Sequence, residues 1–442
     1  MKKIIVVGAG MAGLCSALQA RELGAHVTLI EKGATPGGSL AMSGGTVWCA
    51  ASYADLRRLV PLGDPILGRV LVDGYQAGID WLRGHGATLT RLDSLPDRTT
   101  YLMEPNPRAF VAAMLERFLA LGGELRLNSP VERLIRSADG PVQGVEIRTQ
   151  TGALEQLEAD AVILSSGGFQ GNRALRAQFF GRWSDRLVLR GSPNNTGDGY
   201  LMGTALGAAP SIGMSSFYGH LIPAPPAVVP THDFIAYTHY HSAQSVLVNV
   251  YGERFCDESV GDETSCQYVA REPNALAFVL YDDDVYRNFA VRPAGGGARA
   301  TDTFHESLAL GAPGLKADTL EALCEGLTQL GVYGKGALTT LHEFNQAVAN
   351  GSAAQLRIPR KATANALLKP PFYALGLTTG ITFTLGGLQI NENAQVIDRS
   401  TRIIPGLYAA GADSGGVHNE QYAGGLCLGL VFGRKAAHHA IS

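Results

Sequence analysis

The strongest constraint on this chain lies at its start. An apolar run, Ile4-Ile5-Val6-Val7, enters the turn Gly8-Ala9-Gly10-Met11-Ala12-Gly13, and a second run over residues 26–30 ends in Glu31. The first run reads as a short strand, and residues 26–30 read as a second. Gly8 permits the tight turn, Gly10 lets the backbone approach a pyrophosphate, and Gly13 lets the following helix lie close on its strand. Met11 and Ala12 open that helix, whose free N–H groups and positive dipole end face the phosphates. Glu31, eighteen residues past Gly13, is placed to accept hydrogen bonds from ribose hydroxyls. In a chain with 55 glycines the spacing alone would say little. Strand, turn, helix, second strand and acid together predict a dinucleotide site.

The next stretch separates flavin from nicotinamide. Residues 31–45, with Lys32, Gly38, Ser39, Met42, Ser43, Gly44 and Gly45, replace the helix that would directly follow the second strand of an ordinary nicotinamide fold. Small residues and hydroxyls suit a backbone lying against a flat ring and its ribityl chain. The segment resembles the flavin-facing loop of the FAD-dependent fumarate reductase and succinate dehydrogenase flavoprotein family. Further blocks extend the likeness over essentially the whole chain: Ser165-Ser166-Gly167-Gly168-Phe169, Thr196-Gly197-Asp198-Gly199, Gly386-Gly387-Leu388-Gln389-Ile390-Asn391, Ile404-Pro405-Gly406-Leu407-Tyr408-Ala409-Ala410-Gly411-Ala412-Asp413 and Tyr422-Ala423-Gly424-Gly425-Leu426-Cys427-Leu428.

The resemblance implies FAD, held by the residues named so far in the turn and loop together with Val131, Ser166, Gly167, Asp198, Gly411, Asp413, Leu426 and Leu428. It also implies an α/β fold. A Rossmann-like (GR2-type) FAD-binding domain, split in sequence into residues 1–205 and 346–442, would carry an inserted α+β capping domain over residues 206–345 that forms most of the substrate pocket.

Departures from the family refine the chemistry. Covalent members attach FAD through a His whose position falls near Gly38, where this chain has none, so the FAD should be non-covalent. The His expected before Gly386-Gly387 is missing, and Asp262 stands where the family's proton-shuttling Arg would be. These losses point away from C4-dicarboxylates. Residues 380–384 instead resemble the tricarballylate dehydrogenase branch, while Arg254-Phe255-Cys256-Asp257-Glu258 and the Tyr before the terminal glycines resemble the 3-ketosteroid Δ1-dehydrogenase branch.

Both branches desaturate a carbon pair beside a carbonyl. That reaction needs an α-proton acceptor, a donor on the carbonyl oxygen and a hydride acceptor. By resemblance, the Tyr422 hydroxyl and a backbone N–H of Gly425 or Leu426 hold the oxygen. For the base, residues 217–220 supply Tyr218 and His220, and residues 237–241 supply Tyr237, His239, Tyr240 and His241. As a strand, the second run would put Tyr237, His239 and His241 on one face with Tyr240 opposite. Tyr101 is a further phenol, and Arg254, His239 and His418 are candidate substrate ligands, with an Arg254–Glu258 ion pair the competing role for the arginine. The cap has few other arginines, chiefly Arg271 and Arg287, which suits a ketone or monoacid.

The reading is an FAD-dependent dehydrogenase acting on CH–CH groups of a saturated, cyclic ketone or keto acid. The alternatives are a tricarballylate-type polycarboxylate dehydrogenase, a fumarate-reductase-like enoate reductase, and a flavin-bound protein that has lost its chemistry. Composition excludes other classes. At 442 residues the chain holds two domains, and a net charge of −3 without a basic patch argues against nucleic acid. No apolar run reaches the roughly eighteen residues a spanning helix needs, and residues 1–7 read as a strand rather than a signal peptide. Six cysteines without ligand spacing read as free thiols in a cytoplasmic protein with no metal. The electron acceptor is left open among a quinone, an electron-transfer protein and oxygen.

Overall fold

The computed structural model describes residues 1–92, 95–138, 140–231, 233–294 and 299–442. It divides into two compact units, one of residues 1–175, 191–217 and 383–442, the other of residues 176–190 and 218–382.

The first unit is built on a six-stranded sheet. Lys3–Val7 lies at its centre between Ala161–Leu164 and His26–Ile30, all parallel, with Ile403–Ala409 and Glu124–Arg126 continuing outward in parallel and Gln395–Ile397 closing one edge antiparallel. Ile4, Val6, Val162, Ile163 and Leu164 are fully buried, as expected for parallel strands covered on both faces. Helix Met11–Glu22 follows the first strand through Gly8, whose φ is +98° and whose missing side chain would collide with the Ser165 carbonyl. The closing helix, Gly425–Ile441, lies against this first helix. A Cβ on Gly433 would come within 2.6 Å of the Ala12 carbonyl oxygen, and Ser16 Oγ donates to the Gly433 carbonyl at 2.9 Å. Interior glycine costs a helix about 1 kcal/mol relative to alanine. Here it permits backbone contact between two helices.

The second unit is organised by one long strand, Phe372–Thr384. It pairs antiparallel with Leu276–Tyr281 and Gly314–Ala317 and parallel with Val188–Leu189, and Val246–Val248 extends the sheet beyond Leu276–Tyr281. Helices Leu320–Gln329 and Gly334–Ala349 cover one face, burying Leu323, Leu327, Leu341 and Phe344 against Val246, Val248, Phe278 and Phe372. This shared core carries the second unit to residue 382, past the boundary of 345 read from the sequence. Among the described residues no helix is long and apolar enough to cross a membrane.

Candidate active site

The cofactor candidates lie in the first unit. Helix Met11–Glu22 starts behind Gly10 with no side-chain cap, leaving its first N–H groups to an incoming anion. A Cβ on Gly10 would meet nothing nearer than 4.0 Å, so this position faces open space, whereas one on Gly13 would strike the Gly8 carbonyl oxygen at 1.8 Å. Glu31 directly follows strand His26–Ile30 with both oxygens engaged, accepting from Ala9 N at 3.0 Å and Gly33 N at 2.7 Å. Lys32 Nζ pairs with Asp198 at 2.7 Å and reaches Thr196 Oγ1 at the same distance. Ser39 Oγ accepts from Asn195 Nδ2 at 3.0 Å and Ser192 N at 3.3 Å.

Gly38 has φ +46° with open space beside it. Met42 ends a short 3-10 turn and is 39% exposed, Ser43 Oγ donates to the Leu40 carbonyl and accepts from Gly45 N, and Gly44 is half-buried. Val131 opens the strand Val131–Arg136. Asp413, buried, accepts from Ser166 N at 2.5 Å and Ser166 Oγ at 2.9 Å, and burial pushes its carboxyl up to about 7. It follows Gly411 in a 3-10 turn, and Gly167 turns the chain at φ +90°. Leu426 and Leu428 lie in the first turn of the closing helix. An uncapped helix end, an open backbone at Gly10 and the polar side chains of Glu31, Lys32, Ser39 and Asp413 fit a dinucleotide flavin.

Tyr422, His418 and Gly425 also meet in this unit. The Tyr422 ring is edge-on to Trp48, His418 and Phe383 at centroid distances of 5.3, 5.5 and 5.6 Å. Gly425 N–H donates to Tyr422 Oη at 3.0 Å, so that amide is engaged by the phenol and acts on it. An oxygen that accepts a hydrogen bond is a better O–H donor. His418 is 1% exposed, its Nε2 has no partner, and burial lowers its pKa to about 4.

Residues 3–428 match the family model described as FAD binding domain. The chain belongs to that family. FAD is its cofactor, and the protein is an FAD-dependent oxidoreductase. Among its relatives are "Fumarate reductase (cytochrome)" of Shewanella frigidimarina, 26% identical over 99% of this chain and 76% of that one, and "Vinyl phenol reductase" of Lactiplantibacillus plantarum, 27% identical over 99% and 96%. The solved 3-ketosteroid Δ1-dehydrogenase of Sterolibacterium denitrificans, in complex with 1,4-androstadiene-3,17-dione, shares the fold over 100% of both chains, at 21% identity and a TM-score of 0.79.

The second unit holds a hydrogen-bonded chain of three side chains. Strand Phe217–Pro223 points Tyr218 and His220 to one side, two residues apart. Tyr218 Oη lies 2.8 Å from His220 Nε2, and His220 Nδ1 lies 2.6 Å from Asp262 Oδ2. Asp262 is the first residue of helix Asp262–Val269. An ionised carboxylate only accepts, so Nδ1 carries the proton and Nε2 accepts from the Tyr218 hydroxyl. His220 is 2% exposed, and burial lowers its pKa against the opposing pull of Asp262.

The Tyr240 ring stands edge-on to His220 at 5.5 Å. Residues 237–241 are not a strand, however: Tyr240–Gln244 is a 3-10 turn, which buries His239 and His241 with their rings 5.2 Å apart. His239 Nε2 lies 3.3 Å from Ser307 Oγ, and burial holds both imidazoles neutral. Arg254 is committed elsewhere. It forms a bidentate pair with Glu258 and donates to the Ile358 and Cys256 carbonyls, while Arg360 closes on the same glutamate, so this buried triad braces the unit. Tyr101 lies in the first unit, its hydroxyl 3.4 Å from Gln76.

The structure gives roles to three residues that the sequence does not mark as a site. In the sequence Asp262 reads as a lost arginine, although a reversal of charge at a proton-transfer position signals a new, basic partner. Arg190 and Arg292, half-buried beside Phe234 and Tyr240, belong to no local motif and become visible only in the fold.

Proposed function

We propose that this protein interconverts a saturated carbon pair and its α,β-unsaturated counterpart beside a carbonyl, desaturating a ketone or keto acid, with Tyr218 as the proton-transferring group. The observation that carries this reading is the Tyr218–His220–Asp262 chain. A free phenol is a poor base at neutral pH, and one whose proton can pass to an oriented imidazole is activated. As Tyr218 takes the α-proton, its own proton moves to His220 Nε2, and Asp262 stabilises the imidazolium that forms. Burial opposes a lasting charge on His220, which favours return of that proton once the reaction is complete.

Tyr422, its oxygen accepting from Gly425 N–H, is assigned the donor to the carbonyl oxygen, where charge develops in the transition state. When bound, FAD supplies the two-electron acceptor for the carbon-bound hydrogen. A second reading, reduction of an enoate, uses the same residues in reverse and is supported by the reductase names of the relatives above.

The experiment is anaerobic. Saturated ketones and keto acids are added to the oxidised protein, and their unsaturated partners to the dithionite-reduced protein, while flavin absorbance is followed. Bleaching in the first arm supports desaturation, and recolouring alone in the second supports reduction. No change in either arm would refute both directions.

A further inference from the structure

We propose that the Tyr218 site takes a substrate bearing a single carboxylate, bound by Arg190 and Arg292, so that the substrate is a monoacid rather than a neutral ketone or a polycarboxylate. The inference rests on the proton-transfer reading above and names the substrate class for it. Arg190 follows strand Val188–Leu189, is fixed by its backbone N–H on the Ile381 carbonyl at 2.8 Å, and donates from Nη1 to Thr382 Oγ1 at 3.0 Å. Arg292 ends strand Val291–Arg292, donates from Nη2 to the Ala236 carbonyl at 2.6 Å, and lies with Cζ 5.0 Å from the centre of the Tyr240 ring. Tyr240 in turn packs on His220.

The Nε atoms of both arginines are buried without a partner. Neither guanidinium has a carboxylate within ion-pair distance among the described residues, in contrast to Arg254 and Arg360, which share Glu258. A half-buried cation without an anion is costly, and an anionic ligand removes that cost. The guanidinium fork also matches a carboxylate in geometry.

The charges around Arg292 point to one carboxylate on the ligand. The positive charge of Arg190 is felt at His220 and Tyr240, and that of Arg292 at Tyr240, His239 and His241. The acids whose fields reach Arg292 are Asp262 and Glu306. Glu306 is paired with Arg299, leaving Asp262, which holds His220. The neighbouring imidazoles are neutral. Two guanidiniums against one carboxylate leave a single positive charge for the substrate to neutralise.

The test is calorimetric titration of the FAD-loaded protein with crotonate, cinnamate and levulinate, each against its neutral amide, and with fumarate. At least one monoacid should bind at least about tenfold tighter than its amide, as expected for charge-assisted hydrogen bonds. Arg190→Gln and Arg292→Gln should each weaken that acid by about tenfold and leave the amide unchanged. Arg190→Lys should retain part of the preference, and Arg271→Gln all of it. Acids that bind no better than amides, or not at all, would overturn the proposal, as would a preference that survives both Gln substitutions. Fumarate binding tighter than every monoacid would overturn the single-carboxylate limit. If the arginine variants behave as stated while Tyr218→Phe reduces its flavin at the normal rate, the clamp stands and the proton-transfer reading falls.

Discussion

At the scale of single residues, Tyr218 and Asp262 separate a catalytic chain from a merely packed one. Tyr218→Phe keeps the ring and removes the transferable proton, so FAD content should be unchanged while the rate of flavin reduction by substrate falls about 10²-fold or more. Anaerobic stopped-flow absorbance measures both. The pH profile carries a second expectation. The relay needs a neutral His220, whose pKa burial has lowered below the ordinary value near 6.5, so the rate should hold as pH falls to about 6.5 and be lost below it. Asp262 raises that pKa, and Asp262→Asn should therefore shift the acid limb to lower pH as well as lower the plateau. An unmoved limb would place Asp262 outside the relay. Tyr422→Phe should lower turnover by about 10²-fold with little change in binding, since a donor to developing charge acts on kcat.

At the scale of elements, the first turn and helix carry two kinds of glycine, and substitution distinguishes them. Gly10 faces open space at an ordinary φ of −84°, so Gly10→Ala should fold normally and bind FAD weakly, the new methyl standing where the pyrophosphate approaches. Gly13 is pressed on the Gly8 carbonyl, so Gly13→Ala should destabilise the fold itself by about 1–3 kcal/mol in addition to losing FAD. Urea unfolding of the FAD-free proteins checks this. Equal stabilities for the two variants would show that the helix can shift on its strand. The closing helix follows the same logic through Gly433, because its approach to Ala12 lets two helices share backbone contact near the turn.

At the scale of the whole molecule, the residues proposed to hold FAD are dispersed along the chain, and no His stands near Gly38 in the sequence to form a bond to it. Acid precipitation should release all of the yellow colour into the supernatant; colour kept in the pellet would show a covalent link. The sequence alone was enough for the flavin fold, because its determinants are local: an apolar run, glycines at fixed offsets and an acid at a strand end act through neighbours in the chain. Tyr218 and His220 were legible for the same reason, two residues apart on one strand. What they bind was not. Asp262 reaches His220, Arg292 reaches Tyr240, and Arg190 acts on both only after strands and helices far apart in sequence have packed. The run at residues 237–241 looked like an alternating strand, and a 3-10 turn buries its two histidines instead. Spacing along a chain determines which residues share an element. The charges that surround a reacting phenol depend on contacts between elements, and those the tertiary structure alone decided.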